Sequence, residues 1–386
     1  MARQDDMNTG EPRKKFFMCY FESTRACSLN CRYCMTKNPR KPPRDHTTEL
    51  STDEIKRLVI DEVKKYCTHG AIAFSGGEHL LRKDALEILE YTAEAGLWSF
   101  INTSGALLTA DLVKRVKKAA GGKVIFVFSL NSILPDIQKW SRDDGLWTVI
   151  KSIFLCLKAG VDFFVITTVS RNNLKSLGAT VKFLKLAGIP LLRSPFVMRG
   201  MGDSHQELSL TPEDMRDVIH PILRNYSKSY VSYTPFFAGP EFLKAQWAEM
   251  NMELDQLGCQ ASRGFVGVSA EGRVAPCVHL LDNGLECGNV RDQPLTEILR
   301  DNPIITAVRS REGLKGKCGR CRYKQTCGGC RALAYYRTGD YLAEDPTCFF
   351  EPVDETTRSE HEELQNRNVA RFVKFIKTKN PWKSFF

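Results

Sequence analysis

Three stretches of this chain, AEAGLWSFI, LKAGVDFFVIT and KLAGIPLLRSPF, each place Ala-Gly directly before an apolar run. Glycine just past a helix accepts the left-handed conformation that ends the helix cheaply. A strand that starts at once implies a short connection, and repeated junctions of this kind put those connections on one side of a parallel sheet. Together with the other apolar runs they predict strands near residues 16, 71, 98, 123, 161 and 189, six βα units. Right-handed crossovers then give an open or partial barrel of the TIM type, an α/β fold. The segment STDEIKRLVIDEVKKY reads as one of the helices. Ser51 and Glu54 stand at capping-box spacing, and Ile55, Leu58, Val59, Val63 and Tyr66 form one apolar stripe.

The chain has 386 residues, more than one typical core, so a large domain with a smaller one is expected. The strand–helix rhythm stops near residue 200. The expected organisation is an N-terminal tail over 1–15, a barrel core over 16–200 and a helical connector over 201–255. A Cys- and Gly-rich domain over 256–350 and a charged helical tail over 351–386 follow. Within the connector, Thr211 with Pro212 beside it starts a helix. No apolar run approaches the ~18 residues of a membrane span. The first residues, MARQDDMNTGEPRKK, lack an apolar signal core, so a cytoplasmic location is expected. Lys+Arg exceed Asp+Glu by 55 to 45, which favours an acidic partner or substrate. No basic stripe interleaved with aromatics is present, so nucleic acid is not expected to be that partner.

The 14 cysteines are clustered rather than spread, a pattern better suited to metal ligation than to disulfides in a chain of this size. RACSLNCRYCM places Cys27, Cys31 and Cys34 close together after strand one. A structural zinc site closes with four ligands and a disulfide takes two, so three thiolates suggest a metal centre with one open position. In sheets of this kind chemistry sits at the carboxyl ends of the strands. The cysteine loop, SGGEH, NTSG and SLN follow or end strands one to four, so all four fall on one rim. Later in the chain, CGRC and CGGC taken alone would suit a zinc ribbon.

Cys27-x3-Cys31-x2-Cys34, with Tyr33 before the last cysteine, resembles the signature of the radical S-adenosylmethionine (SAM) enzymes. The resemblance implies a [4Fe–4S] cluster on these three thiolates, with SAM on the free iron through its amino and carboxylate groups. Gly76, Gly77 and Glu78 resemble the family's GGEP motif, with His79 where proline is usual, and imply that Glu78 meets the SAM amino group. Asn102–Gly105 looks like the family's TNG turn and offers Asn102 and Ser104 to the cofactor. Ser129 and Asn131 resemble a Ser-x-acid stretch that touches the SAM ribose or carboxylate, with an amide in place of the acid. Arg199, after strand six, is a candidate for the SAM carboxylate or an acidic substrate. No general acid or base is assigned.

The array Cys259-x12-Gly272-x4-Cys277, then Cys318-x2-Cys321-x5-Cys327-x2-Cys330, then Cys348 resembles a SPASM domain. It departs from that pattern by one residue between Cys327 and Cys330. The resemblance implies two auxiliary [4Fe–4S] clusters, three in all. Cys318, Cys321, Cys327 and Cys348 are implied for the outer one, and Cys259, Cys277 and Cys330 for the inner one. Cys287 is the candidate fourth inner ligand, and His279 could tune that cluster. Cys19, Cys67 and Cys156 read as core residues.

The family relation implies an oxygen-sensitive oxidoreductase or lyase that cleaves SAM reductively and abstracts hydrogen from an unactivated C–H bond. A flavodoxin or ferredoxin is the expected type of electron donor. PPRDHTTELSTDE and CGGCRALAYYRTGDYLAEDPTC look most like enzymes of the alternative haem and haem d1 pathways, implying a tetrapyrrole substrate. The alternatives are a maturase of a ribosomally made peptide and a non-catalytic iron–sulfur electron carrier. An open first cluster beside a SAM-type rim is of no use to a pure carrier.

Overall fold

The computed structural model describes residues 14–36, 48–143, 145–222, 258–282, 284–325 and 327–352. Six parallel strands run side by side in chain order: β1 Lys14–Thr24, β2 Cys67–Gly76, β3 Trp98–Thr103, β4 Val124–Ser129, β5 Asp162–Val169 and β6 Leu191–Pro195. These are the six expected strands, curled into a partial barrel. The three Ala-Gly junctions end helices Ala85–Glu94, Leu146–Ala159 and Leu174–Leu186. Their glycines, Gly96, Gly160 and Gly188, all have positive φ. The capping box at Ser51 forms as read. Glu54 N–H donates to Ser51 Oγ at 3.3 Å, and Ser51 N–H to the Glu54 carboxylate at 2.8 Å. The helix it opens reaches Tyr66, with Ile55–Ile60 wound in the wider π manner.

Side chains alternate across the sheet. On the outer face Phe17, Phe21, Ile72, Phe74, Ile101, Phe126 and Phe128 join the helices in the main core. On the inner face Ala71, Ala73, Phe100, Ile125, Val127 and Phe164 pack with Met18, Tyr20, Trp98, Ile166 and Leu192. The concave side is therefore a broad apolar floor with two alanines where β2 crosses it. Cys19, Cys67 and Cys156 are buried, as read.

The Cys-rich region is joined to the barrel through the sheet itself, which the sequence reading did not contain. Strand β7, Phe265–Val268, pairs parallel with β1, Met18 opposite Phe265, and β8, Val274–Ala275, pairs antiparallel with β7. The strand order is β6-β5-β4-β3-β2-β1-β7-β8. Further contacts fix the join. Arg291 bridges to the Glu54 carboxylate at 2.7 Å, and the Thr296 hydroxyl donates to Glu62 at 2.7 Å. Short helices Leu295–Asp301, Pro303–Ser310, Gly316–Arg320 and Arg331–Thr338 complete the region.

Of the connector, the helix expected at Thr211 forms, with Asp214 N–H donating to Thr211 Oγ1 at 3.2 Å. Residues 223–257, the tail from 353 and positions 1–13 lie outside the described residues. No helix among the described residues is long and apolar enough to cross a membrane.

Candidate functional site

The cysteine loop and the Gly-Gly-Glu turn form one unit. Gly77 N–H donates to Thr24 O and Glu78 N–H to Ala26 O, both at 2.7 Å, so the end of β2 zips onto the chain entering the cysteine loop. A Cβ on Gly77 would stand 1.9 Å from Ala26 O, which is why no side chain fits there. The far end of the loop is held by the segment after β6, where Met201 N–H donates to Cys34 O at 2.8 Å. A third support is the end of helix Pro135–Arg142. Asp143 accepts from Asn30 N–H at 3.0 Å, and the Arg32 guanidinium lies 4.5 Å from the Trp140 ring centroid.

Within this frame Leu29 N–H points at Cys27 Sγ at 3.5 Å and Thr36 N–H at Cys34 Sγ at 3.4 Å. Burial raises the Cys27 pKa; the Leu29 amide opposes this, the charges of Glu78 and Cys34 add to it, and Arg142 opposes it. Cys27, Cys34, Glu78 and Arg142 therefore share one electrostatic neighbourhood. Glu78 is buried on the rim. One oxygen accepts from Thr103 Oγ1 at 2.8 Å and Ser104 N–H at 3.3 Å, while Oε1 is buried with no hydrogen-bond partner. Burial pushes its pKa up to about 7. A buried carboxylate oxygen with no donor beside a set of three thiols fits an ammonium-bearing ligand held at a cluster.

Of the other residues read for the cofactor, Ser104 serves Glu78 through its backbone N–H, and Asn102 Nδ2 ties β3 to Phe74 O at 3.1 Å. Ser129 is half-buried at the end of β4. Tyr33 is buried against Phe196, ring centroids 5.5 Å apart. Two of the residues read for the cofactor have partners within the protein. The Asn131 amide donates to Tyr33 Oη at 2.9 Å and Ser141 Oγ at 3.0 Å and accepts from Thr168 N–H at 3.0 Å. Both of its amide protons are used within the protein, on Tyr33 and Ser141, and its oxygen keeps one acceptor position. Arg199 is buried in ion pairs with Glu22 at 2.7 Å and Asp282 at 3.1 Å, and donates to Leu281 O at 2.9 Å. Its charge is met by these two carboxylates.

Asp282 is the hub of that group. It also pairs with Arg25 at 3.0 Å and Arg273 at 2.5 Å, and Arg25 with Glu271 at 2.6 Å. Arg25 lies just before Cys27 and Arg199 just before the segment that holds Cys34. Both ends of the cysteine loop are thus fastened to one carboxylate of the Cys-rich region. Sequence reasoning missed this hub, and it missed Thr103 and Arg142. Arg142 carried a signal in its place at the end of the helix after the fourth strand.

Two electrostatic neighbourhoods run through the later cysteines, in which a thiolate at one position would raise the pKa of the next. The charges of Cys259 and Cys277 act on Cys330, and that of Cys259 on Cys277. The charges of Cys318 and Cys348 act on Cys327, and those of Cys318 and Cys321 on Cys348. Cys287 is not drawn into either set. It packs with the barrel-side core, while Cys277 and Cys330 pack in a neighbouring apolar group. Burial pushes the Cys277, Cys327 and Cys348 thiols up to about 12. Buried thiols of this kind become thiolates on binding metal. His279 sends its ring to the floor of the barrel, Nε2 3.2 Å from Ser194 Oγ, and its backbone N–H acts on the Cys277 thiol. His79 fills the place of the usual proline by stacking on Phe74 at 4.3 Å and bonding Ser23 Oγ at 2.9 Å.

Residues 21–184 match the model of the radical SAM superfamily, and residues 259–331 match that of the SPASM iron-sulfur cluster-binding domain. An AdoMet-dependent heme synthase of Methanosarcina barkeri is 32% identical over 345 residues, covering 86% of this chain and 96% of the relative. A PqqA peptide cyclase of Granulibacter bethesdensis is 27% identical, covering 86% of each. Among solved structures, Streptococcus suis SuiB bound to S-adenosylmethionine superposes with a TM-score of 0.66 at 17% identity, over 87% of this chain and 78% of the other.

Proposed function

The chain belongs to the radical SAM superfamily and carries a SPASM domain, an enzyme of SAM and iron–sulfur radical chemistry, and on that premise we propose that it modifies the side chains of a tetrapyrrole. The observation that carries this reading is the similarity to the heme synthase, which runs through nearly the whole of that relative. The apolar inner face, with Tyr20, Trp98, Phe100 and Phe164, suits a large flat macrocycle. The excess of basic residues suits its carboxylates.

We assign Cys27, Cys31 and Cys34 to the SAM cluster, Cys318, Cys321, Cys327 and Cys348 to the outer auxiliary cluster, and Cys259, Cys277 and Cys330 to the inner one, three clusters in all. Cys287 is the candidate fourth ligand of the inner cluster, which without it would keep an iron open to a further ligand. When bound, the first cluster and SAM supply a 5′-deoxyadenosyl radical that takes hydrogen from an unactivated C–H bond. Glu78 Oε1 receives the ammonium group, held in place by Thr103 and Ser104. Arg142 supplies the cation for the SAM carboxylate, and Ser129 faces the ribose. The cysteine loop, clamped between Asp282 and the Gly-Gly-Glu turn, keeps these groups in register. A soluble one-electron donor of the flavodoxin or ferredoxin type serves the protein in the cytoplasm.

The test is anaerobic turnover of the reconstituted, reduced enzyme with SAM and either a carboxylate-bearing iron porphyrin or a peptide of the PqqA type. Formation of 5′-deoxyadenosine with loss of mass from the porphyrin supports the reading. Modification of the peptide alone replaces it with the maturase reading, which the PqqA peptide cyclases favour. Cys31→Ala abolishes SAM cleavage and lowers iron from about twelve to about eight per chain. SAM cleavage by that variant would end the cluster assignment.

A further inference from the structure

Only Gly328 and Gly329 separate Cys327 from Cys330, and their φ values are +75° and +58°. The left-handed pair turns the chain, so that one cysteine joins the outer set and the next joins the inner set. A Cβ on Gly328 would stand 2.6 Å from Arg311 Nε, and one on Gly329 would stand 2.7 Å from Arg331 Nη2. The wall between the two sets is packed with two guanidinium groups, each 1% exposed.

Arg311 reaches both sides. Its Nη2 donates to Cys259 O of the inner set at 2.5 Å, and Nη1 donates to Gln325 O, beside Cys327 of the outer set, at 2.5 Å. The two sets also meet directly, Cys259 N–H donating to Cys327 O at 2.8 Å. Burial and Arg263 pull the Arg311 pKa down to about 10, while negative charge on Cys259 and Cys327 favours the cation. The backbone adds a second, independent observation. Arg311 follows helix Pro303–Ser310 with φ +62°, the position where glycine is the default. A long side chain held in that conformation is retained for its head group.

Thiolate-bound iron–sulfur clusters are anionic, and the charge around them sets their potentials. We propose that Arg311 is a shared counter-ion of the two auxiliary clusters, raising the reduction potential of both. The inference rests on the reading that each cysteine set holds a cluster. Arg331, whose Nη2 lies 3.7 Å from Cys318 Sγ, serves chiefly the outer set and is the internal comparison.

The experiment is a redox titration, followed by electron paramagnetic resonance, of the anaerobically reconstituted full-length protein and its Arg311→Gln, Arg311→Gly and Arg311→Lys variants. Both auxiliary midpoints shift to more negative potential in the Gln and Gly variants, and the SAM-cluster midpoint stays. The Lys variant keeps values near those of the wild type. Arg331→Gln shifts the outer midpoint more than the inner. Glycine suits the backbone at 311, so a thermal melt of Arg311→Gly at or above the wild type separates loss of charge from misfolding. A shift of one auxiliary midpoint alone, or of neither, overturns the proposal. Absence of auxiliary signals in the wild type overturns the cluster reading instead, and the inference with it.

Discussion

The partial barrel and the Cys-rich region keep their interiors in different ways. In the barrel the fully buried large side chains are chiefly Phe17, Phe21, Phe74, Phe126 and Phe128, layered between sheet and helices. In the Cys-rich region they include Arg311 and Arg331, and around them stand thiols and glycines that leave no room for a Cβ. An apolar interior holds its shape by burial alone. An interior of cations and thiols is balanced once the thiols become thiolates on metal. One sheet runs through both regions, and Val266, Val268, Leu295, Ile298 and Ile305 of the Cys-rich region pack into the barrel's own core.

The contrast is broken or sharpened most strongly by removing iron. In the metal-free protein, amide exchange over 259–348 speeds up by on the order of a thousandfold or more, while β2 to β5 keep their protection. Equal loss in both regions would mean that the barrel is no more self-sufficient than its neighbour. The next largest effect is at the joint. Asp282→Asn leaves Arg25, Arg199 and Arg273 short of a shared, half-buried carboxylate and costs about 3 kcal/mol. The urea midpoint of the full chain measures it, and a change under about 1 kcal/mol would show that the pairing β1–β7 holds the join without the ions.

The smallest effect belongs to the barrel rim. Glu78 has a folded pKa of about 7, raised above its ordinary 4.5 by burial, so it favours the fold while protonated. That stabilisation is complete below the ordinary value and is lost as pH rises toward 7. In the ligand-free protein, raising pH from 5 to 7 costs about 2 kcal/mol at this group, and Glu78→Gln removes that slope. SAM binding runs the other way, strengthening as the carboxylate forms, and the Gln variant loses most affinity above pH 7. A slope unchanged in Glu78→Gln would assign the titration to another residue.

The barrel was legible because its signals are local. Ala-Gly junctions, capping residues and apolar periodicity each act within a few positions, and all six strands could be read from them. The cysteines were legible as ligand material for the same reason, through their spacing. What spacing could not carry was the use to which long polar side chains are put. Asn131 and Arg199 sit where a cofactor contact was expected, and both turn to other parts of the chain, Thr168 and Asp282 among them. Cys287 N–H pairs with Val274 O at 2.7 Å, a contact that its spacing from Cys277 did not indicate. The addition of β7 to β1 joins residues about 250 positions apart, beyond the reach of any local pattern.

That late pairing bears on how the protein is made. Strand β1 leaves the ribosome first, and its outer edge is unmatched until Phe265–Val268 has been synthesised. Until then a row of free peptide groups flanked by Phe17, Cys19 and Phe21 offers a template for sticking to other nascent copies. Once docked, the hairpin shields that row and ends the sheet on the two-residue strand β8, too short to recruit a stranger. The region that serves the metal chemistry is thus also the barrel's guard against aggregation, and an isolated N-terminal half would be left without one.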